Sequence, residues 1–208
     1  VTVPFKREIF DYLDSSSREV KLTKSVNTIL KEGDKVVGYN TDQGGFEISL
    51  QKKNWKSEGK KILIFGAGGV TPSILLTFIK TNGDNKIYLC NRTRDKAEKL
   101  KEFWDKTINL FGKNKNTLEI VDWGKKIEMC DLVINTTSVG LSKDENISYN
   151  FSDYDNNKDT LFYDLIYNPK ETNFLKEAKL RGNRTMNGKL MFLGQAQLAF
   201  KMLSLIHI

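Results

Sequence analysis

The sequence predicts an α/β protein of two lobes, the larger built on a parallel sheet and the smaller an α/β lobe assembled from both ends of the chain. Three observations carry that expectation. Short apolar, β-branched runs alternate with segments of helical period through the middle of the chain. A glycine-rich turn, Gly66-Ala67-Gly68-Gly69, stands between one such run and the helix that follows it. The two flanks do not share the alternation.

Residues 1–50 hold two short apolar stretches and a loop around Glu32-Gly33-Asp34. Ile62-Leu63-Ile64-Phe65 is an uninterrupted apolar run ending at Gly66, the pattern of a strand buried on both faces. Residues 71–80 carry Ile74, Leu75, Phe78 and Ile79 at helical spacing and stop at Asn82-Gly83. Residues 86–90 read as the next strand, and 95–111 as a Lys/Glu-rich amphipathic helix. Three further strands are expected at 118–121, 132–135 and 161–165, with a polar loop at 153–159. Residues 188–206 form an apolar helix through Leu190, Met191, Leu193, Ala196, Leu198, Ala199, Met202 and Leu203. A helix that apolar needs a partner surface, and the first fifty residues are the expected one. The boundaries are therefore 1–45 plus 188–208 for the smaller lobe and 46–187 for the sheet domain.

Composition narrows the class. The 12 Phe, 7 Tyr and 3 Trp, spread along the chain, exclude disorder, and no apolar run approaches the length of a membrane span. The net charge of +7 comes from 27 Lys and 6 Arg scattered without a concentrated patch, so no nucleic-acid partner is expected. Cys90 and Cys130 each lie in an apolar run and read as reduced, buried thiols of a cytoplasmic chain. No Cys/His cluster points to a metal, and His207, the only histidine, reads as a tail residue. The chain opens on Val1-Thr2-Val3-Pro4, a strand-like run without an initiator Met, as expected of the interior of a longer polypeptide.

The residues that carry chemistry begin at the glycine turn. Placed strand–turn–helix, Gly66 permits the tight turn and Gly68 lets the backbone approach a pyrophosphate. The following helix supplies free N–H groups, while Thr71 stands where a third glycine is usual. A purely structural turn is the alternative. The end of the next strand chooses the cofactor. An NAD site places a carboxylate there for the ribose 2′-OH, whereas this chain has Asn91-Arg92-Thr93-Arg94 with Lys96 beyond, groups that pair with a 2′-phosphate. NADP is the expected cofactor. The competing reading is a solvated helix start capped by Thr93.

A polar set occupies the first lobe: Thr2 and Lys6 about Pro4-Phe5, Asn27-Thr28, and Asn40-Thr41-Asp42. Lys6 and Asp42 form the acid–base pair among them, because an amine beside a carboxylate can pass a proton to a developing alkoxide. Taken singly, each has a structural reading: Lys6 a surface lysine, Asn27 a turn residue, Asp42 a helix N-cap.

Taken together, their order and wording resemble a family. Val1-Thr2-Val3-Pro4-Phe5-Lys6, Ser25-Val26-Asn27-Thr28, Gly38-Tyr39-Asn40-Thr41-Asp42 and Gly66-Ala67-Gly68-Gly69 are similar to shikimate dehydrogenase. So are Asn91-Arg92-Thr93, Asn135-Thr136-Thr137-Ser138-Val139-Gly140, Asp164-Leu165-Ile166-Tyr167-Asn168-Pro169, and Asn187-Gly188 with Met191 and Gln195. The resemblance implies a Rossmann-like NADP-binding domain and a substrate lobe. It further implies NADPH-dependent reduction of 3-dehydroshikimate to shikimate in the chorismate route to aromatic amino acids. By position, Lys6 matches the family's catalytic lysine and Asp42 the carboxylate that pairs with it and binds substrate. Thr2, Asn27, Tyr167 and Gln195 match residues that hold the substrate's hydroxyls. Gly66, Ala67, Gly68, Gly69, Val70, Asn91, Arg92, Thr93, Arg94, Lys96, Leu165 and Gly188 match cofactor contacts. Such a polar lining suits a small hydroxyl-rich carboxylate, and the implied site is a cleft between the lobes. The partner is then a small molecule, with no nucleic acid and no membrane, and the assembly a monomer or homodimer.

The chain departs from the family pattern at two places. An N-terminal stretch with a pair of carboxylate-binding serines is expected before the position of Val1. Without it, cofactor affinity without normal turnover is the expectation. The end, Leu203-Ser204-Leu205-Ile206-His207-Ile208, lacks the family's Trp and Gly. Three alternatives stay open: a quinate/shikimate dehydrogenase paralogue with relaxed cofactor choice, a non-catalytic dinucleotide-sensing module, and one segment of a multifunctional polypeptide.

Overall fold

The computed structural model describes residues 1–2, 5–81, 83–112, 115–142 and 144–205, the Leu205 side chain excepted. Val3, Pro4, Asn82 and His207 therefore lie outside the described residues. The chain divides into two units, Val1–Lys56 with Gly69–Thr77 and Leu190–Ile208, and Ser57–Gly68 with Phe78–Lys189.

In the first unit a short 3-10 helix (Glu8–Tyr12) leads to strand β1 (Ser15–Ser16) and helix α1 (Arg18–Thr23). The Ser17 hydroxyl accepts from the Val20 N–H to cap α1, and Lys24 ends it in the left-handed region. Strands β2 (Thr28–Glu32) and β3 (Lys35–Tyr39) pair as an antiparallel hairpin about the Gly33-Asp34 turn. β1 adds in parallel to β3, giving a three-stranded sheet of order β1-β3-β2. Helix α2 (Asp42–Gln51) follows, and the C-terminal helix α6 (Lys189–Leu205) meets it where Gly194 lies against Gly45. Val20, Val26, Phe46 and Leu50 are buried in this unit.

The second unit is the parallel sheet. β4 (Lys61–Phe65), β5 (Lys86–Cys90), β6 (Thr117–Val121), β7 (Leu132–Asn135), β8 (Leu161–Asp164) and β9 (Arg184–Met186) pair in the order β6-β5-β4-β7-β8-β9. Counted from β4 as strand one, this is 3-2-1-4-5-6, the doubly wound order whose switch point lies between β4 and β7. Period two along each strand puts Leu63, Phe65, Tyr88, Cys90, Val133 and Phe162 on one face, while Ile62, Ile64, Ile87, Leu89 and Ile134 point to the other. Both sets are buried, which is why these strands read as unbroken apolar runs.

Helix α3 (Thr71–Lys80) follows the glycine turn, and α4 (Arg94–Ile108) buries Ala97, Leu100, Trp104 and Thr107 along one stripe before a 3-10 turn at Asn109–Phe111. Helix α5 (Asn173–Leu180) and strand β9 add to the elements the sequence predicts. The strict strand–helix alternation also fails twice. Among the described residues the link from β6 to β7 has no helix, and the link from β7 to β8 has only a 3-10 turn at Ser152–Tyr154. Aromatic rings cover that face of the sheet instead. Phe151 packs edge-on to Phe65, Phe162 and Phe174 with centroids 6.0, 5.3 and 5.9 Å apart, and Tyr149 stands 5.3 Å from Phe65.

Cys90 and Cys130 are free and buried, and burial pushes both thiols up to about 12. No helix of the described residues is long and apolar enough to cross a membrane. Titration of the native protein with a thiol-reactive disulfide at pH 8 is expected to find neither cysteine reactive. The same titration in denaturant should find both, and rapid reaction of the native protein would contradict the packing of β5 and of the chain entering β7.

Candidate active site

In the first unit, two backbone bonds set the geometry of the polar set. The Val26 N–H donates to the Lys6 carbonyl at 2.8 Å, and the Asn27 N–H donates to the Tyr39 carbonyl at 3.0 Å. Lys6, Asn27 and the end of β3 are thereby held side by side. Lys6 Nζ then donates to Asp42 Oδ2 at 2.6 Å, with the lysine side chain 18% and the aspartate side chain 6% exposed.

The orientation of Asn27 follows from chemistry alone. The Thr41 backbone N–H can only donate, and it lies 3.0 Å from one terminal atom of the amide, so that atom is Oδ1. The Nδ2 end is thus turned to Asp42 Oδ1 at 3.0 Å and to Thr41 Oγ1 at 3.0 Å. Gln195 of α6 enters the same group, its Oε1 3.4 Å from Asn27 Nδ2 and 3.3 Å from Thr41 Oγ1. Each carboxylate oxygen of Asp42 therefore has a donor, and Asn40 Oδ1 accepts from the Asp42 N–H at 2.9 Å to satisfy the helix start.

Gln195 reaches this group because Gly45 lies beneath it. A Cβ at Gly45 would stand 2.7 Å from both the Gln195 Cβ and its backbone nitrogen, and 2.8 Å from the Met191 carbonyl. The Gln195 amide nitrogen makes no hydrogen bond among the described residues, nor do the remaining protons of Lys6 Nζ. The group thus presents donors that are held in place yet uncommitted.

The glycine turn closes β4, with Gly66 to Gly68 in the second unit and Gly69 opening a segment grouped with the first. Gly66 has φ +109°, and a Cβ there would lie 2.6 Å from Thr136 Oγ1, so the turn requires glycine for its own packing. Gly68 and Gly69 differ: a Cβ at Gly68 would meet nothing nearer than 4.0 Å, and one at Gly69 nothing within 4 Å. No protein atom demands their bareness, which leaves a cradle open for a phosphate. Asn91 Oδ1 accepts from the Ala67 N–H at 3.0 Å, tying the end of β5 to the turn. Of the cations that follow, Arg94 is engaged with Glu98 at 3.0 Å and Asp122 at 2.6 Å. Arg92 and Lys96 are exposed, and their side chains make no hydrogen bond or ion pair among the described residues. With asparagine rather than a carboxylate at the end of β5, the residues present fit a dinucleotide bearing a 2′-phosphate. Among the described residues no group of three His, Cys, Asp or Glu side chains is placed to hold a metal ion.

Residues 48–173 match the family described as Shikimate / quinate 5-dehydrogenase. The shikimate dehydrogenase (NADP(+)) of Pelagibacter ubique is 46% identical over 96% of this chain and 70% of its own length. The chain belongs to the shikimate / quinate 5-dehydrogenase family. Among solved structures, shikimate dehydrogenase from Aquifex aeolicus superposes with a TM-score of 0.81 at 37% identity, over 97% of this chain and 70% of that one. Shikimate 5-dehydrogenase from Thermus thermophilus, in complex with NADP(H) and shikimate, gives 0.80 at 28% identity with the same coverage.

For a member of this family, the structure brings Lys6, Asn27, Asp42 and Gln195 into one hydrogen-bonded group. Thr2 is exposed, and its carbonyl accepts from the Phe5 N–H at 3.0 Å. Tyr167 belongs to the other unit and is exposed. Gly188 is joined to the loop after β8 by its N–H, which donates to the Ile166 carbonyl at 3.0 Å, one residue from Leu165. Thr93 occupies the N-cap position of α4, but its side chain makes no capping bond, so the simple capping reading does not hold. Nor is Asp42 an N-cap: Thr41 is, and Asp42 is the first residue of α2.

Sequence reasoning places Asn40 and Thr41 in the polar set without a role for either, and passes over Gly45. The signal at Thr41 was present in its residue type, since a capping hydroxyl before an acidic first turn normally bonds its own helix. Here that hydroxyl turns away to Asn27 and Gln195. Gly45→Ala is expected to destabilise the protein by about 1–3 kcal/mol through overpacking against Gln195, read as a lowered urea midpoint. An unchanged midpoint would contradict the close approach of α2 and α6.

Proposed function

We infer that this chain carries out the NADP-dependent interconversion of 3-dehydroshikimate and shikimate, a step in the chorismate route to aromatic amino acids. The observation that carries the reading is the Lys6–Asp42 pair at 2.6 Å, set among amide and hydroxyl groups in a member of this family. When bound, NADPH would supply the hydride that reduces the carbonyl carbon of the substrate. Lys6 Nζ gives a proton to the carbonyl oxygen and recovers one in the oxidative direction. Asp42 holds the ammonium in one orientation, and Asn27, itself fixed by the Thr41 N–H, holds the carboxylate. The free amide nitrogen of Gln195, with Thr2, supplies donors and acceptors for the substrate's hydroxyls. The Gly66–Val70 turn would hold the pyrophosphate, and Arg92 and Lys96 would pair with the 2′-phosphate. Leu165 and Gly188 complete the cofactor's surroundings. Two buried free thiols suit the reducing cytoplasm, where such a biosynthetic enzyme works.

The direct test is reduction of NADP⁺ by the full-length gene product with shikimate, run beside quinate and beside NAD⁺. Shikimate with NADP⁺ should be the fastest pair, and a protein that binds NADPH yet turns over neither alcohol is a sensing module instead. Lys6→Ala should lower kcat by about 10²- to 10⁴-fold while leaving NADPH affinity unchanged. Equal losses in turnover and binding would remove Lys6 from the proton transfer. Replacing Arg92 and Lys96 by Ala should weaken NADPH about tenfold or more while sparing NADH. Arg94→Ala should do much less, because Asp122 and Glu98 already occupy that guanidinium. An unchanged NADPH-to-NADH ratio in the double variant would place the 2′-phosphate elsewhere.

A further inference from the structure

Asp164, the last residue of β8, is fully buried. Among the described residues it has no cation partner, which is unusual for a carboxylate removed from water. Three donors from three different segments converge on it instead. Oδ1 accepts from the Ile166 N–H at 3.0 Å and from Asn135 Nδ2 at 3.1 Å, and Oδ2 accepts from Thr172 Oγ1 at 2.6 Å. An amide in its place has one acceptor oxygen, so only a carboxylate serves donors on both branches.

Each of these partners orders a loop at the carboxyl end of the sheet. Asn135 ends β7, and its Oδ1 accepts from the Thr137 N–H at 2.9 Å and from the Thr137 hydroxyl at 2.6 Å, while Nδ2 also donates to the Val139 carbonyl at 3.0 Å. The next residue, Thr136, donates through its hydroxyl to the Phe65 carbonyl at 2.8 Å and through its N–H to the same oxygen at 2.8 Å, at the start of the glycine turn. Ile166 is held from its other side by the Gly188 N–H. Thr172 is the N-cap of α5, its Oγ1 accepting from the Leu175 N–H while its proton goes to Asp164.

The strand order assigns these loops to one half of the nucleotide site. β4–β6 make the half that carries Arg92 and Lys96, and β7–β9 make the other, whose carboxyl-end loops face the far end of a dinucleotide laid across the switch point. The geometry points to Asp164 as a positioning residue for the nicotinamide half of the cofactor, acting through the loops after β7 and β8 that its two oxygens tie together. This inference rests on the dinucleotide reading of the glycine turn.

The test uses the full-length gene product and two ligands: NADPH, and 2′,5′-ADP, which carries only the adenosine half. Asp164→Asn should lower kcat with shikimate and NADP⁺ by about tenfold to a hundredfold while 2′,5′-ADP binds as in the unsubstituted protein. A change in kcat of less than about twofold, or a loss of 2′,5′-ADP affinity in proportion to kcat, overturns the inference and leaves Asp164 a folding residue. Thr172→Ala and Thr172→Ser carry the test if Asp164→Asn does not fold: Ala should show the same selective loss, and Ser should restore activity. Failure of Ser to restore it, or wild-type behaviour of Ala, overturns the inference as well. If the unsubstituted protein binds neither NADPH nor 2′,5′-ADP, it is the underlying dinucleotide reading that falls.

Discussion

A carboxylate taken out of water must accept hydrogen bonds from its neighbours, and that requirement shapes the functional parts of both units. Asp42 is 4% exposed and Asp164 fully buried, each far below the exposure usual for its type. Asp42 is satisfied by a cation on one oxygen and an amide on the other, an arrangement that leaves the ammonium ordered and its other protons unspent. Among the described residues Asp164 has neutral donors only. Burial raises its pKa, while Thr172, the Ile166 N–H and Asn135 act the other way. One solution suits proton transfer and the other suits holding loops still.

Around these carboxylates the rest of the architecture is economical. The parallel sheet places its glycine turn, its Asn135 loop and its Asp164 loop at the same edge because every strand runs the same way. Where the chain does not build a helix over the sheet, the Phe151 cluster covers it with edge-to-face rings. That substitution lets the described residues between β7 and β8 run as loop and a single 3-10 turn without exposing β4 and β8. In the first unit the small sheet, α2 and α6 bring Lys6, Asn27 and Gln195 together from positions far apart in the chain.

The elements that were legible in advance are those whose burial is written in residue type. Ile62 to Phe65 and Ile87 to Cys90 are apolar at every position because both faces are covered, and α4 shows its stripe at Ala97, Leu100 and Trp104. β9 escaped because Arg184-Thr185-Met186 is too short and too polar to mark a strand, and β1 is two serines. The links after β6 and β7 carry no signal of their own in the sequence, because nothing local announces that rings will do the work of helices. At the site, Lys6 and Asp42 were legible as a pair of opposite charge. Thr41 was not, because its role depends on which way a hydroxyl turns, and that is decided by Asn27 and Gln195 rather than by its own neighbours. Asp164 stood in a quoted motif without a role, since only the folded chain shows that Asn135 and Thr172 converge on it.

The central claim is that the amine of Lys6, held by Asp42, is the group that moves the proton. Chemical rescue addresses it most directly: small primary amines are added to the Lys6→Ala variant of the full-length gene product, and shikimate oxidation is followed by NADPH absorbance. The rate should rise with amine concentration, vary with amine basicity, and fall away for amines too bulky for the space beside Asp42. A variant that binds NADPH and shikimate normally yet shows no response to any amine would contradict it.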